Sequence, residues 1–154
     1  MNLSELIKQD HFSSLSQEVL LNVIVTSNWI MGELSAKMAP YGITPAQYNV
    51  LRILRGSYPD AMTCTAIGER LLDKTPDTTR LLNRLDRSGM IRRERSADDR
   101  RVVKVVITEA GMKVIDAIQP TLEQFQDSII RYISTEEQHQ LIDLLERLRT
   151  DQVQ

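Results

Sequence analysis

TPDTTRLLNRLDRSGMIRRERSADDRRVVKVV, residues 75–106, concentrates the structural signals of this 154-residue chain. Thr75 can cap a helix by accepting from backbone N–H groups, and Pro76 suits the first helical position, where its missing donor costs nothing. Thr78, Leu81, Leu82 and Leu85 recur at i, i+3, i+4 and i+7. They form an apolar stripe that leaves Asp77, Thr79, Arg80, Asn83, Arg84 and Arg87 on other faces. Ser88-Gly89 predicts the stop, since glycine tolerates the left-handed conformation that closes a helix. Two strands follow, Met90–Arg95 and Arg101–Ile107, with Val103, Val105 and Ile107 alternating against Val102, Lys104 and Val106. Ser96-Ala97-Asp98-Asp99 supplies turn formers between them. The expectation is a helix followed by a β-wing.

Charge indicates what such a unit faces. From Lys74 to Lys104 there are ten basic and five acidic residues; the remainder holds nine basic against sixteen acidic, for a net −2. A basic island in an acidic protein fits a focused anionic partner better than general stickiness, and nucleic acid is the leading candidate. The competing reading is a solvated charged hairpin whose arginines pair with Glu94, Asp98 and Asp99.

Working outward toward the N-terminus, Leu20, Val23, Ile24, Ile30, Met31, Leu34 and Met38 keep helical spacing between Leu15 and Met38. Val19, Leu21 and Val25 add a second apolar edge, more than one neighbour could cover. Pro40-Tyr41-Gly42 breaks this helix. Thr44-Pro45-Ala46-Gln47 is a capping-box pattern with proline at the first helical position, opening a helix that presents Tyr48, Leu51 and Leu54 and ends near Gly56. Thr63 opens a short third helix with Ile67 and Leu71, and Leu72-Asp73-Lys74 turns into the helix of residues 75–88. Helix, turn and second helix of these lengths suit a helix-turn-helix, whose second helix enters the major groove.

Toward the C-terminus, Thr108 predicts the cap of a long helix carrying Val114, Ile115, Ile118, Leu122, Phe125, Ile129, Ile130 and Ile133. Pro120 predicts a kink within it rather than a break into two helices. Thr135-Glu136-Glu137-Gln138 reads as a further capping box before Leu141, Ile142, Leu144, Leu145 and Leu148.

A chain of this length buries one ordinary core, and 42% apolar with 26% charged residues is neither disordered nor membranous in composition. Residues 1–14 do not read as a signal peptide, and uninterrupted apolar stretches fall short of the ~20 residues that span a bilayer. These features lead to the expectation of a cytoplasmic protein without membrane attachment. A single cysteine excludes an internal disulfide. Cys64 invites a redox-switch reading, against the commoner role of a small buried hydrophobe. His11 and His139 lack partners at ligand spacing, so no metal or cofactor is expected, and no phosphate loop, nucleophile triad or paired carboxylates point to an enzyme.

These residues resemble the MarR-type winged helix-turn-helix regulators. The resemblance rests on Ile43-Thr44-Pro45-Ala46-Gln47-Tyr48 with Leu51 and Leu54, Met62-Thr63 with Ile67 and Leu71, and Thr78-Thr79-Arg80-Leu81-Leu82 with Arg84-Leu85. The wing follows in Ser88-Gly89-Met90-Ile91-Arg92-Arg93, Asp98-Asp99-Arg100-Arg101 and Thr108-Glu109-Ala110-Gly111. It covers roughly residues 15 to 148. It implies a mainly α fold with a small β-wing, built as a winged helix-turn-helix core flanked by N- and C-terminal dimerisation helices. The whole chain, 1–154, is then one domain, with dimerisation helices at 15–39 and 109–150 and a DNA-binding lobe at 44–108. Terminal helices with uncovered apolar faces also favour a homodimer on physical grounds. A twofold dimer sets two reading helices about 34–36 Å apart, so a pseudo-palindromic duplex is the expected partner.

The candidate DNA-binding set is Thr75, Asp77, Thr79, Arg80, Asn83, Arg84, Arg95, Asp99, Arg100 and Arg101. Arginine can bond guanine bidentately and asparagine adenine, which singles out Thr79, Arg80 and Asn83 for base edges. Arg84 serves a phosphate or an ion pair with Asp86 or another acid. Asp77 is either a structural first-turn acid or an acceptor from cytosine N4. An arginine at the wing tip suits the minor groove, and Arg95 a phosphate. By resemblance, Asp99 is the wing's orienting acid and Arg101 its paired arginine. The resemblance further implies a small aromatic or phenolic effector in a crevice that Trp29, Met31, Met38 and Tyr48 could line; ordinary core packing explains these four equally well. The leading expectation is a transcriptional repressor released by such an effector. The alternative is a winged-helix interaction module using its basic face on an acidic protein partner.

Overall fold

The computed structural model describes residues 2–74, 76–95 and 102–150. In chain order the elements are α1 (Leu3–Ile7), α2 (Leu15–Met38), a 3-10 turn (Ala39–Tyr41), α3 (Pro45–Ser57), β1 (Met62–Thr63) and α4 (Cys64–Arg70). Then come α5 (Thr78–Arg87), β2 (Ile91–Arg95), β3 (Val103–Ile107), α6 (Glu109–Ile130) and α7 (Thr135–Arg149). The chain divides into two compact units, one up to Ile118 and one from Gln119, so the boundary falls inside α6.

Local chemistry explains most of the boundaries in the first unit. Ser14 caps α2 by accepting from Gln17 N, and the helix ends where Gly42 turns left-handed at φ 69°. The Thr44 box forms as expected: the Thr44 hydroxyl accepts from Gln47 N, and the Gln47 side chain accepts from Thr44 N. A short helix, α1, was not expected; Asn2 and Glu5 form its own reciprocal box.

The strands form one antiparallel sheet in the order β1-β3-β2, with Met62 opposite Val105, Ile91 opposite Ile107 and Arg95 opposite Val103. The central strand departs from the expected alternation. Val105, Val106 and Ile107 are all buried while Val103 is exposed, so the inner end of β3 is covered on both faces. β1 supplies the third strand, a two-residue pairing that periodicity did not reveal.

The core gathers Val50, Leu51 and Leu54 of α3, Ile67 of α4, Leu82 and Leu85 of α5, Ile91 and Ile107 of the sheet, and Ile115 and Ile118 of α6. The Arg55 guanidinium meets the Asp116 carboxylate at 2.7 Å, and the Tyr41 hydroxyl donates to the Ala117 carbonyl at 3.1 Å, fastening the start of α6 to this core. Pro120 lies inside α6, which runs on without the break into two helices that the sequence reading rejected.

α2 is different in kind. Met38 is its one buried residue, and Leu15, Val19, Leu20, Val23, Ile24, Trp29 and Met31 are exposed. Residues Leu15–Tyr41 are long and apolar enough on average to cross a membrane, contrary to the expectation from uninterrupted stretches. Glu18, Asn22, Glu33 and Lys37 interrupt the run.

In the second unit, the cap of α7 lies one residue before the expected one. Ser134 accepts from Glu137 N, and Glu137 accepts from Ser134 N at 2.7 Å. α7 buries no residue of its own.

Candidate nucleic-acid interface

α5 begins later than Thr75 and Pro76 suggested. Asp77 is its N-cap, with Oδ1 accepting from Thr79 N at 2.9 Å and Arg80 N at 3.3 Å. A carboxylate there satisfies two free amides and sits at the positive end of the helix dipole, which outweighs the proline signal one residue earlier. The expected stripe is in place: Leu81, Leu82 and Leu85 are buried and Thr78 half-buried, while Thr79, Arg80, Asn83, Arg84 and Arg87 are exposed. One face of α5 is therefore a row of hydrogen-bond donors backed by core.

Contacts before and after the helix hold that row in position. Ahead of the helix, Asn49 Oδ1 accepts from Leu72 N at 2.9 Å, tying the turn to α3. Lys74 Nζ donates to the Glu69 carbonyl at 2.5 Å, so this cation of the basic island closes the negative end of α4. Behind it, Gly89 at φ 71° completes the exit, with Gly89 N donating to Asp86 O and Met90 N to Leu85 O. The Thr108 hydroxyl then donates to the Gly89 carbonyl at 2.6 Å and accepts from Gly111 N at 3.2 Å. One side chain thus joins the end of α5 to the start of α6, giving Thr-x-x-Gly its purpose.

The first wing strand grips the same helix. Arg93 Nε lies 3.3 Å from Asp86 Oδ2, and the Arg93 guanidinium also donates to Asn83 Oδ1. Sequence reasoning missed Arg93. Its partners lie seven and ten residues back across a glycine turn, beyond any helical or strand period. Asp86 accordingly pairs with Arg93 and not with Arg84, two positions away on the helix and pointing elsewhere. Arg92 pairs with Glu94 at 2.5 Å. Of these two internally paired arginines, Arg92 has a partner the solvated-hairpin reading named, whereas Arg93 is held by residues of α5, and the donor row of that helix stands beside them.

A family model described as MarR family matches residues 41–102. An uncharacterized HTH-type transcriptional regulator of Bacillus subtilis, YkoM, is 31% identical over 107 residues, 70% of this chain and 68% of that protein. The crystal structure of a MarR transcription factor from Planctomyces limnophilus is 33% identical, covers 88% of this chain and 98% of its own, and superposes with a TM-score of 0.68. The chain belongs to the MarR family. It is a transcriptional regulator and not an enzyme, with the winged helix-turn-helix expected from its sequence. The matches span 66–68% of the length of the curated Bacillus subtilis relatives. The fold is also that of Staphylococcus aureus MepR in its DNA complex, at 22% identity, 90% and 99% coverage and a TM-score of 0.78.

In this MarR-family chain, the structure brings Asp77, Thr79, Arg80, Asn83 and Arg84 together on α5, with Arg95 exposed at the outer end of β2. Thr75, the turn at 96–99, Asp99, Arg100 and Arg101 lie outside the described residues. The four residues suggested for an effector crevice do not form one lining. Met38 and Tyr48 are buried, whereas Trp29 is 51% and Met31 46% exposed. At 100° per residue Trp29 faces the opposite side of α2 from Met31 and Met38, so the set could not converge from one helix. The Tyr48 hydroxyl is buried without a hydrogen-bond partner among the described residues. Cys64 is half-buried, its Sγ 3.9 Å from Thr79 Oγ1.

Proposed function

We propose that this chain works as a homodimer that reads a pseudo-palindromic duplex through α5 and the wing, represses transcription from that site, and leaves it when a small aromatic or phenolic effector binds. The observation that carries the reading is the exposed row Thr79, Arg80, Asn83 and Arg84, held above a buried leucine stripe by contacts at both ends of the helix. A donor row on a rigid helix is what direct readout in the major groove requires. Phosphate contacts from Arg95 and the other wing arginines would set register without carrying sequence information.

The homodimer is supported by the apolar surface of α2 and α7. Leu20 and Ile24 on the first, and Leu141, Ile142, Leu144 and Leu148 on the second, are exposed large apolar residues. Patches of this kind mark association surfaces in soluble proteins. The effector is supported by the Tyr48 hydroxyl, a buried polar atom that a ligand could satisfy. Release then needs only that the effector prefer one arrangement of the dimer over another.

Selection of bound duplexes from a random pool tests the reading directly. Enrichment of an inverted repeat whose half-sites lie one helical turn apart, with affinity falling steeply as salt rises, is the expected result. Retention of an acidic protein partner with no enrichment of any duplex would replace it with the interaction-module alternative.

A further inference from the structure

We propose that Arg93 sets the base specificity of Asn83, making it a reader of keto-bearing bases instead of adenine. The inference rests on the reading of α5 as a duplex-reading helix and adds to it which chemical edge one residue recognises. An asparagine side chain has one acceptor oxygen and two amide donors, while a guanidinium has donors only. The Arg93 contact therefore fixes the amide: Oδ1 is turned to Arg93, and the Nδ2 donors are left for whatever faces α5. Arg93 is itself held against the helix at a second point, since its Nε lies 3.3 Å from Asp86 Oδ2 one turn along. Adenine is recognised by asparagine through both halves of the amide, with Oδ1 accepting from N6 and Nδ2 donating to N7. Here the oxygen is held beside a cation, so an incoming amino group meets donors and positive charge. Guanine O6 and thymine O4 are acceptors at the corresponding places in the groove and match what Asn83 offers. Arg93 is thus a positioning residue for specificity, reaching from the wing strand to a base it does not touch.

The test begins with wild-type protein and its selected duplex, in which each position of one half-site is replaced by all four bases and binding is titrated. Asn83→Ala identifies the position Asn83 reads, as the one where discrimination collapses. In the wild type that position should favour guanine or thymine over adenine and cytosine by about fivefold to a hundredfold, the range of one good base contact. Arg93→Met should free the amide and raise adenine to at least parity there, with other positions unchanged. Arg93→Lys, which still offers a donor to Oδ1, should restore the keto preference. Asn83→Asp keeps a partner for Arg93 but replaces the donors with an acceptor, and should invert the preference toward adenine or cytosine. A wild-type preference for adenine at the position lost in Asn83→Ala, or an unchanged preference in both Arg93→Met and Asn83→Asp, overturns the proposal while leaving duplex reading intact. Failure of the wild type to enrich any duplex overturns the underlying reading and the proposal with it.

Discussion

A Cβ placed on Gly111 would stand 2.3 Å from the Met90 carbonyl oxygen. No side chain fits there, because the opposing atom is backbone and the Ile107 side chain closes the other side at 2.8 Å. The start of α6 therefore packs directly against the exit of α5 and the first residue of the wing. Gly111→Ala should force these segments apart and cost about 1–3 kcal/mol, the range for overpacking a close contact. Thermal unfolding checks this, and operator affinity should fall as well, since the exit of α5 moves with Met90. An unchanged melting temperature would mean that the close approach is relieved without cost.

Asp77 offers a separate test of whether an acid on a DNA-facing helix is structural. Its carboxylate accepts from two amides of the first turn, so Asp77→Ala should destabilise the protein by about 1 kcal/mol. Asp77→Asn keeps the acceptor and should be close to wild type in stability. It also removes a negative charge from a surface meant for phosphates, so its affinity for duplex at low salt should rise. Reduced affinity in Asp77→Asn, with stability retained, would assign the carboxylate a direct role at a base.

The contrast between Asp77 and Thr75 shows where sequence reading succeeded and where it did not. Local patterns were legible where the sequence offered a single candidate for each role: Thr44 with Gln47, Gly89 as the stop of α5, and the buried stripe of Leu81, Leu82 and Leu85. Cap identity slipped where two oxygen-bearing residues stood close together, as with Thr75 and Asp77 or Ser134 and Thr135, because either could accept from the first amides. Which of them does so depends on the direction from which the chain arrives, and that is a tertiary property. Contacts across a turn were invisible for the same reason. β1 is two residues long and pairs with a strand some forty residues away, and Arg93 reaches back to Asp86 and Asn83. The donor face of α5 could be read from spacing; the arginine that orients part of it could not.

Glu137 makes the first turn of α7 sensitive to acid. The Ser134 amide and hydroxyl hold its carboxyl below the usual carboxylate range, the amide contributing more. A depressed folded value means that the cap is stabilising above the ordinary carboxylate pKa and is lost as pH falls through the lowered one. Protection of the amides at residues 135–138, taken relative to their intrinsic exchange at each pH, should fall over that acidic window while that of α5 is unaffected. Glu137→Gln retains the reciprocal bond in neutral form, so its protection should be constant across the same range. Identical acid responses in wild type and Glu137→Gln would detach the effect from this carboxyl.

The apolar surface of α2 and α7 leads to a prediction about assembly that separates folding from function. Ile24 is 44% and Leu144 53% exposed, so a charged side chain at either can remain in water within one subunit and should leave the fold intact. Buried between two subunits, the same charge would lack a partner and would oppose association. Ile24→Asp and Leu144→Asp should each convert a dimer to a monomer in sedimentation equilibrium while circular dichroism stays near wild type. Because two reading helices on one duplex act through effective concentration, the monomeric variants should bind a single half-site about as well as the wild type does. They should lose most of the advantage the wild type gains from the full inverted repeat. A variant that stays dimeric would show that its position lies outside the interface. Monomeric wild-type protein with full affinity for the inverted repeat would remove the dimer from the proposed mechanism.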